Sequence, residues 1–305
     1  MLFRSGSADA DTDADTDTDT ESSSDSDTES DAALDTGTGS SDADTDADTD
    51  TDTDGAADTD AVAAMCTRWN EDRADLAEGT WSGSTATCDA GDVSSNGRAN
   101  ALKLVNLYRW LADLPPVADD AGRNAGAQEC ALMMAANGAL SHSPPDTWDC
   151  YTADGASAAG QSNIASTAGV AAVDLYMADP GNPTTIGHRR WILSNSLGPV
   201  GLGTTSSYSC MWVIGGSGSA GASFTAWPAP GPFPHEAIGS VTWGSVDDTG
   251  WTIQSDSIGL GSATVTVSAG GEELPVQAST LLSGYGSSHA IRFVPDGWTS
   301  QSGTT

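Results

Sequence analysis

Four histidines stand in the chain, at His142, His188, His235 and His289. A neutral imidazole suits zinc, and a zinc site needs three or four N, S or O ligands. Residue type alone does not say which of the four would form such a site; His235 and His289 read as ordinary solvated or hydrogen-bonded side chains. No H-E-x-x-H helix and no G-x-S-x-G elbow is present, so neither a zincin nor an α/β-hydrolase nucleophile announces itself. Asp247-Asp248 and Glu272-Glu273 are adjacent pairs. On a strand they would point to opposite faces, which does not suit paired-carboxylate catalysis.

Five cysteines are scattered as Cys66, Cys88, Cys130, Cys150 and Cys210, with no C-x-x-C pair. That argues against a zinc ribbon or a dithiol redox motif and for disulfides in an oxidising compartment. Cys130–Cys150 would close a 20-residue loop carrying His142, and Cys66–Cys88 a loop of 22. These are the expected pairs, with Cys210 left as the free thiol.

The elements that must position such residues follow from periodicity. Residues 96–112 place Ala101, Leu104, Val105, Tyr108 and Leu111 on one helical face, stopped by Pro115-Pro116. A second helix fits 119–136, capped by Asp119 or Asp120 and ended by Asn137-Gly138, with Ala127, Ala131, Met134 and Ala135 in one stripe. A third fits 167–178 through Val170, Val173 and Met177, and a short fourth begins near Gly187. Beyond Gly198, residues 200–205, 208–214 and 224–227 read as short strands. After the proline-rich joint 227–234 the chain reads as β throughout, including 241–246, 251–256 and 263–269. Helices followed by strands indicate an α+β fold.

In this frame the segments resemble the CAP superfamily, which groups cysteine-rich secretory proteins, antigen 5 and pathogenesis-related-1 proteins. Leu104–Pro116 (LVNLYRWLADLPP) resembles the family's opening helix and turn, and Asn137-Gly-Ala-Leu-Ser-His142 its first-histidine element. Gln161-Ser-Asn-Ile-Ala165 resembles its G-E-N-I-A strand. Val173–Asn182 resembles its W-x-x-E helix, and Gly187-His-Arg-Arg-Trp-Ile-Leu193 its G-H-x-x-x-I-L signature. The resemblance spans about 98–235. It implies an α-β-α sandwich whose central cavity is lined by two His and two acids and takes a divalent metal. Carried over, the cavity residues are His142, His188 and Asp179. Ser162 stands where the family has its strand acid, and it is a poor ligand beside a carboxylate. A divalent cation such as zinc is the one cofactor this set would take, weakly held. A Ser-His-Asp hydrolase using Ser162 or Ser141 can be written from the same residues. The better reading is a non-catalytic module with a lipid-like or protein ligand, the alternative a metal-assisted peptidase or esterase.

Charge and composition set the context. The formal net charge is −33 over 305 residues. Residues 1–60 hold 21 of the 43 acids against one base, Arg4. They consist almost wholly of Asp, Thr, Ser, Ala and Gly, and the 7–20 block recurs at 41–54. Too little apolar surface is present to offset ordering entropy, so 1–62 is expected to be a disordered spacer rather than a calcium site. So acidic a chain is repelled by phosphate, which argues against a nucleic-acid partner. No apolar run approaches a membrane span, and MLFRSGS is not a signal peptide. The Asp-Thr spacer suits an extracellular or surface-tethered bacterial protein with its export signal upstream of Met1. The expected organisation is therefore a tail at 1–62, the CAP-like domain at 63–235, and a small β-sandwich-like module at 236–305.

Overall fold

The structure is a computed structural model that describes residues 54–239 and 242–303. Residues 1–53, which carry most of the acidic tail, lie outside them. Helix α1 (Asp54–Asp72) begins inside the segment expected to be tail. The Ala-rich run 61–64 favours helix, and Met65 and Trp69 bury one face of it in the main core. Helix is therefore present before residue 62.

Helices α2 (Ser95–Leu111), α3 (Ala121–Asn137), α5 (Gly169–Ala178) and α6 (Gly187–Ile192) follow the expected periodicity. Every residue of the α2 stripe is buried. Helix α3 is capped by the Asp120 carboxylate, which accepts from Arg123 N at 2.9 Å, and ends at Gly138 in the left-handed conformation (φ 59°). Helix α4 (Ala153–Gly160) carries no apolar stripe in the sequence. The Thr152 hydroxyl starts it by accepting from Gly155 N, and its Ala158 and Ala159 pack on α3.

Strands β1 (Ser162–Ala165), β2 (Gly201–Thr204) and β3 (Ser209–Trp212) form an antiparallel sheet with β3 in the middle. Successive side chains alternate between its faces. Ile164 and Cys210 join Ala127, Cys130, Ala131 and Met134 beneath α3 and α4. Ala165, Leu202 and Met211 join the larger cluster beneath α2 and α5. The result is a three-layer α-β-α sandwich. Gly203 is required for its closeness: a Cβ there would lie 2.1 Å from the Ala127 carbonyl carbon.

This pleat explains why the disulfides differ from those expected. Cys130 pairs with Cys210 across the α3–β3 layer, 80 residues apart with Cα atoms at 6.1 Å. Cys88 pairs with Cys150, 62 apart with Cα atoms at 5.0 Å. The expected Cys130–Cys150 and Cys66–Cys88 bridges are not formed. Cys210 is not free but buried, and the free thiol is Cys66, exposed beside the buried Met65 on α1. The first bridge joins adjacent layers and the second two surface turns, and neither joins neighbours in sequence.

A second antiparallel sheet runs β4 (Thr225–Trp227), β5 (Trp251–Ser255), β9 (His289–Pro295), β8 (Val276–Thr280). A hairpin joins β6 (Val267–Ala269) to β7 (Glu272–Leu274). Because β4 precedes the proline-rich joint and pairs with β5, the two bodies interlock across residue 235. A short helix α7 (Glu236–Gly239) follows that joint. The strand expected at 241–246 is replaced over its described part by a turn and helix α8 (Val246–Thr249). The Ser245 hydroxyl, which accepts from Asp247 N, caps that helix after Gly244.

Candidate functional site

Asp179 ends α5 in the left-handed conformation (φ 54°), which Asp tolerates better than most residues. The turn through Asn182 and Ile186 then starts α6 at Gly187. This folds the Asp179 carboxylate under the first turn of α6. Oδ2 accepts from His188 N at 2.9 Å and Arg189 N at 3.3 Å. Oδ1 accepts from His188 Nδ1 at 2.9 Å and Asn182 Nδ2 at 2.7 Å. The carboxylate has no exposed surface, and all four donors hold the turn together. A proton on His188 Nδ1 follows from its nearest neighbour being an acceptor. In the neutral ring Nε2 is then the acceptor, and the side chain is 25% exposed.

Tyr176 packs against the His188 ring at 5.1 Å between centroids. Its hydroxyl is buried beside Ser209, and neither hydroxyl makes a hydrogen bond of ordinary geometry. Burial holds the Tyr176 phenol far above its usual ionisation range. Tyr108 behaves likewise, burial coming first and the negative Asp174 next; its hydroxyl donates to Asp174 Oδ1 at 2.6 Å. Asp174 also receives both terminal nitrogens of Arg73, tying the end of α1 to α5. An ultraviolet titration is therefore expected to leave Tyr108 and Tyr176, two of the five tyrosines, un-ionised above pH ~10 until the protein unfolds. Ionisation of all five at about pH 10 in folded protein would contradict these burials.

Among the described residues, neither of the other expected cavity residues hydrogen-bonds to this turn. His142 is exposed, with Nδ1 at 3.0 Å from the Ala159 carbonyl of α4. Ser162 shares a β1 face with Ile164, the α3/α4 side, and its buried Oγ has no partner. Its neighbour Asn163 reaches the other way and donates to the His188 carbonyl at 3.1 Å. The strand residue in contact with the His188 segment is thus Asn163. The period of two places consecutive residues on opposite faces. Among the described residues no group of three or more His, Cys, Asp and Glu could hold a metal ion. With Asp179 saturated and both imidazole Nδ1 atoms hydrogen-bonded, the expected set offers a metal only the Nε2 atoms of His142 and His188, fewer than the three or four ligands of a zinc centre. A cavity beside Tyr176 and Ser209 measures about 20 Å³, room for a water but not for a lipid.

Residues 102–214 match the family model described as CAP, the cysteine-rich secretory protein family. These residues form a CAP domain. Comparison with curated proteins and with solved structures finds no match. Within the CAP domain, sequence reasoning missed Arg189 and Arg190. Arg189 is fully buried and donates to Met177 O, Ala178 O, Gly250 O and Thr249 Oγ1. Arg190 donates to Thr185 O, Leu282 O and both Ser287 oxygens. Burial pushes both guanidinium groups down to about 10, so both stay charged at neutral pH. They bolt the CAP domain to the C-terminal sheet. The available signal was that two of only ten Lys and Arg residues stand side by side next to His188.

Proposed function

We propose that the chain is a secreted or surface-held binding module, non-catalytic, that presents the His188 edge of its CAP domain to a lipid-like or protein ligand. The saturation of Asp179 carries this reading. A carboxylate that accepts four hydrogen bonds and has no exposed surface serves the fold, not proton transfer. It fixes His188 with one ring nitrogen free, a pre-set acceptor for a ligand N–H or O–H. Two disulfides support an oxidising compartment, and no described helix is long and apolar enough to cross a membrane.

The test combines turnover and metal content. Purified protein is assayed on peptide and ester substrates beside His188→Ala, and its metal content and melting temperature are measured before and after chelation. We expect no turnover above the variant, no stoichiometric metal and an unchanged melting temperature. Hydrolysis that disappears in His188→Ala, or melting that falls on chelation, would replace the binding module with a metal-assisted hydrolase.

A further inference from the structure

The seam between the CAP domain and the C-terminal sheet holds an open groove of about 340 Å³. The CAP domain contributes Trp191 and Ser196; the other wall is Asp256 and the 283–288 loop. The volume falls at the small end of ligand pockets. We propose that this groove is a saccharide-binding site that takes neutral sugar rings on Trp191, with their hydroxyls hydrogen-bonded to Asp256 and the surrounding serines.

The chemistry of the lining leads to this class. Trp191 is half-buried on α6, and its indole N–H makes no hydrogen bond among the described residues. It offers an apolar face for sugar C–H groups and a free donor at its edge. Asp256 is exposed and spends Oδ1 on Ser288 N at 3.1 Å, leaving Oδ2 to accept from a ligand hydroxyl. Charge-assisted bonds of that kind are the stronger ones. Ser283 and Ser288 add exposed hydroxyls able to donate and accept. Asp256 is the one charged residue among the lining residues, so phosphorylated, sulfated or carboxylated ligands are repelled. A lipid tail finds a single aromatic group amid serines and glycines, too little apolar surface to bury it.

The groove is also held in shape before any ligand arrives. Arg190 pins the loop through Leu282 O and Ser287, and Gln254 Nε2 bonds Arg190 O and Leu193 O at 3.3 and 2.7 Å. Gly286 sits at φ 72°, where a Cβ would lie 2.2 Å from the Arg190 carbonyl oxygen. Only glycine lets the loop come this close to α6. A preformed wall lowers the ordering cost of binding. Neither body alone supplies both Trp191 and Asp256, so the C-terminal module is half of the site. The groove does not use His188, and the proposal stands independently of the His188 reading.

The test is calorimetric titration of the full chain with cellotetraose, chitotetraose and maltotetraose, beside Trp191→Ala and Asp256→Asn. Wild type is expected to bind at least one of these. Asp256→Asn, a surface change that leaves the fold intact, and Trp191→Ala should each weaken it by about tenfold. A shift in tryptophan fluorescence on titration should vanish in Trp191→Phe, which removes the indole that reports the stacking. Absence of binding to all three sugars, or equal binding by wild type and Asp256→Asn, would overturn the proposal. So would capture of a cationic peptide such as tetralysine at Asp256 with no sugar bound, which would make the groove a peptide site.

Discussion

Replacing Arg189 with Met should lower the melting temperature by roughly 10 °C and free the C-terminal sheet to proteolysis. The aliphatic stem is retained, so the loss is confined to the guanidinium. That group satisfies the carbonyls of Met177 and Ala178 at the end of α5 and of Gly250 at the entry to β5. Left buried without a donor, each carbonyl costs about 1–3 kcal/mol, giving a total near 4 kcal/mol. The Coulomb attraction to Asp179 is lost as well, though burial of the guanidinium is the larger influence on it. The effect must reach both bodies, because the acceptors come from both. Thermal melting with limited proteolysis around residues 240–250 reads it directly. A variant that melts within about 2 °C of wild type would show that Arg189 fills space without clamping the seam.

The second large effect belongs to the buried disulfide. Cys130→Ala with Cys210→Ala removes a cross-link spanning 80 residues, worth about 4 kcal/mol in the chain-entropy picture. Both half-cystines are at most 1% exposed and lie among Ala127, Ala131, Met134 and Ile164, so truncation also leaves a small void. Removing Cys88–Cys150 opens a loop of similar length at an exposed site, without that void. The double variant of the buried pair should therefore be the less stable of the two. Native alkylation should label Cys66 alone, and non-reducing peptide maps should join 130 to 210 and 88 to 150. A map linking 130 to 150, or labelling of Cys210 in native protein, would overturn the pairing and with it the packing of α3 on β3.

Local signals in this sequence were strong where one side of an element is dry. The α2 stripe from Ala101 to Leu111, the Asp120 cap and Gly138 stop of α3, and the Val170–Met177 face of α5 each state a helix and its buried side. The ordered motifs from Leu104 to Leu193 sufficed to identify the CAP domain, and the approach of Asp179 to His188 lies within one of their turns. Helix α4 was illegible because Ala and Gly carry no stripe; only the packing of Ala158 and Ala159 on α3 makes it a helix.

What the sequence by itself determined is thus the fold class, the main helices and the acidic, cysteine-bearing character of the chain. Tertiary structure alone decided the disulfides, because Cys130 meets Cys210 only once β3 is laid under α3. It also decided that Asn163 rather than Ser162 reaches the His188 segment, since the face of a strand depends on which layer covers it. It decided as well that His142 Nδ1 meets the Ala159 carbonyl of α4, 17 residues on. Arg189 and Arg190 gained their role from carbonyls 61 to 97 residues downstream as well as from near neighbours. Periodicity reports burial against a local axis; it holds no record of which distant backbone groups lack a partner. Those unmet carbonyls are what hold the two bodies of this protein together.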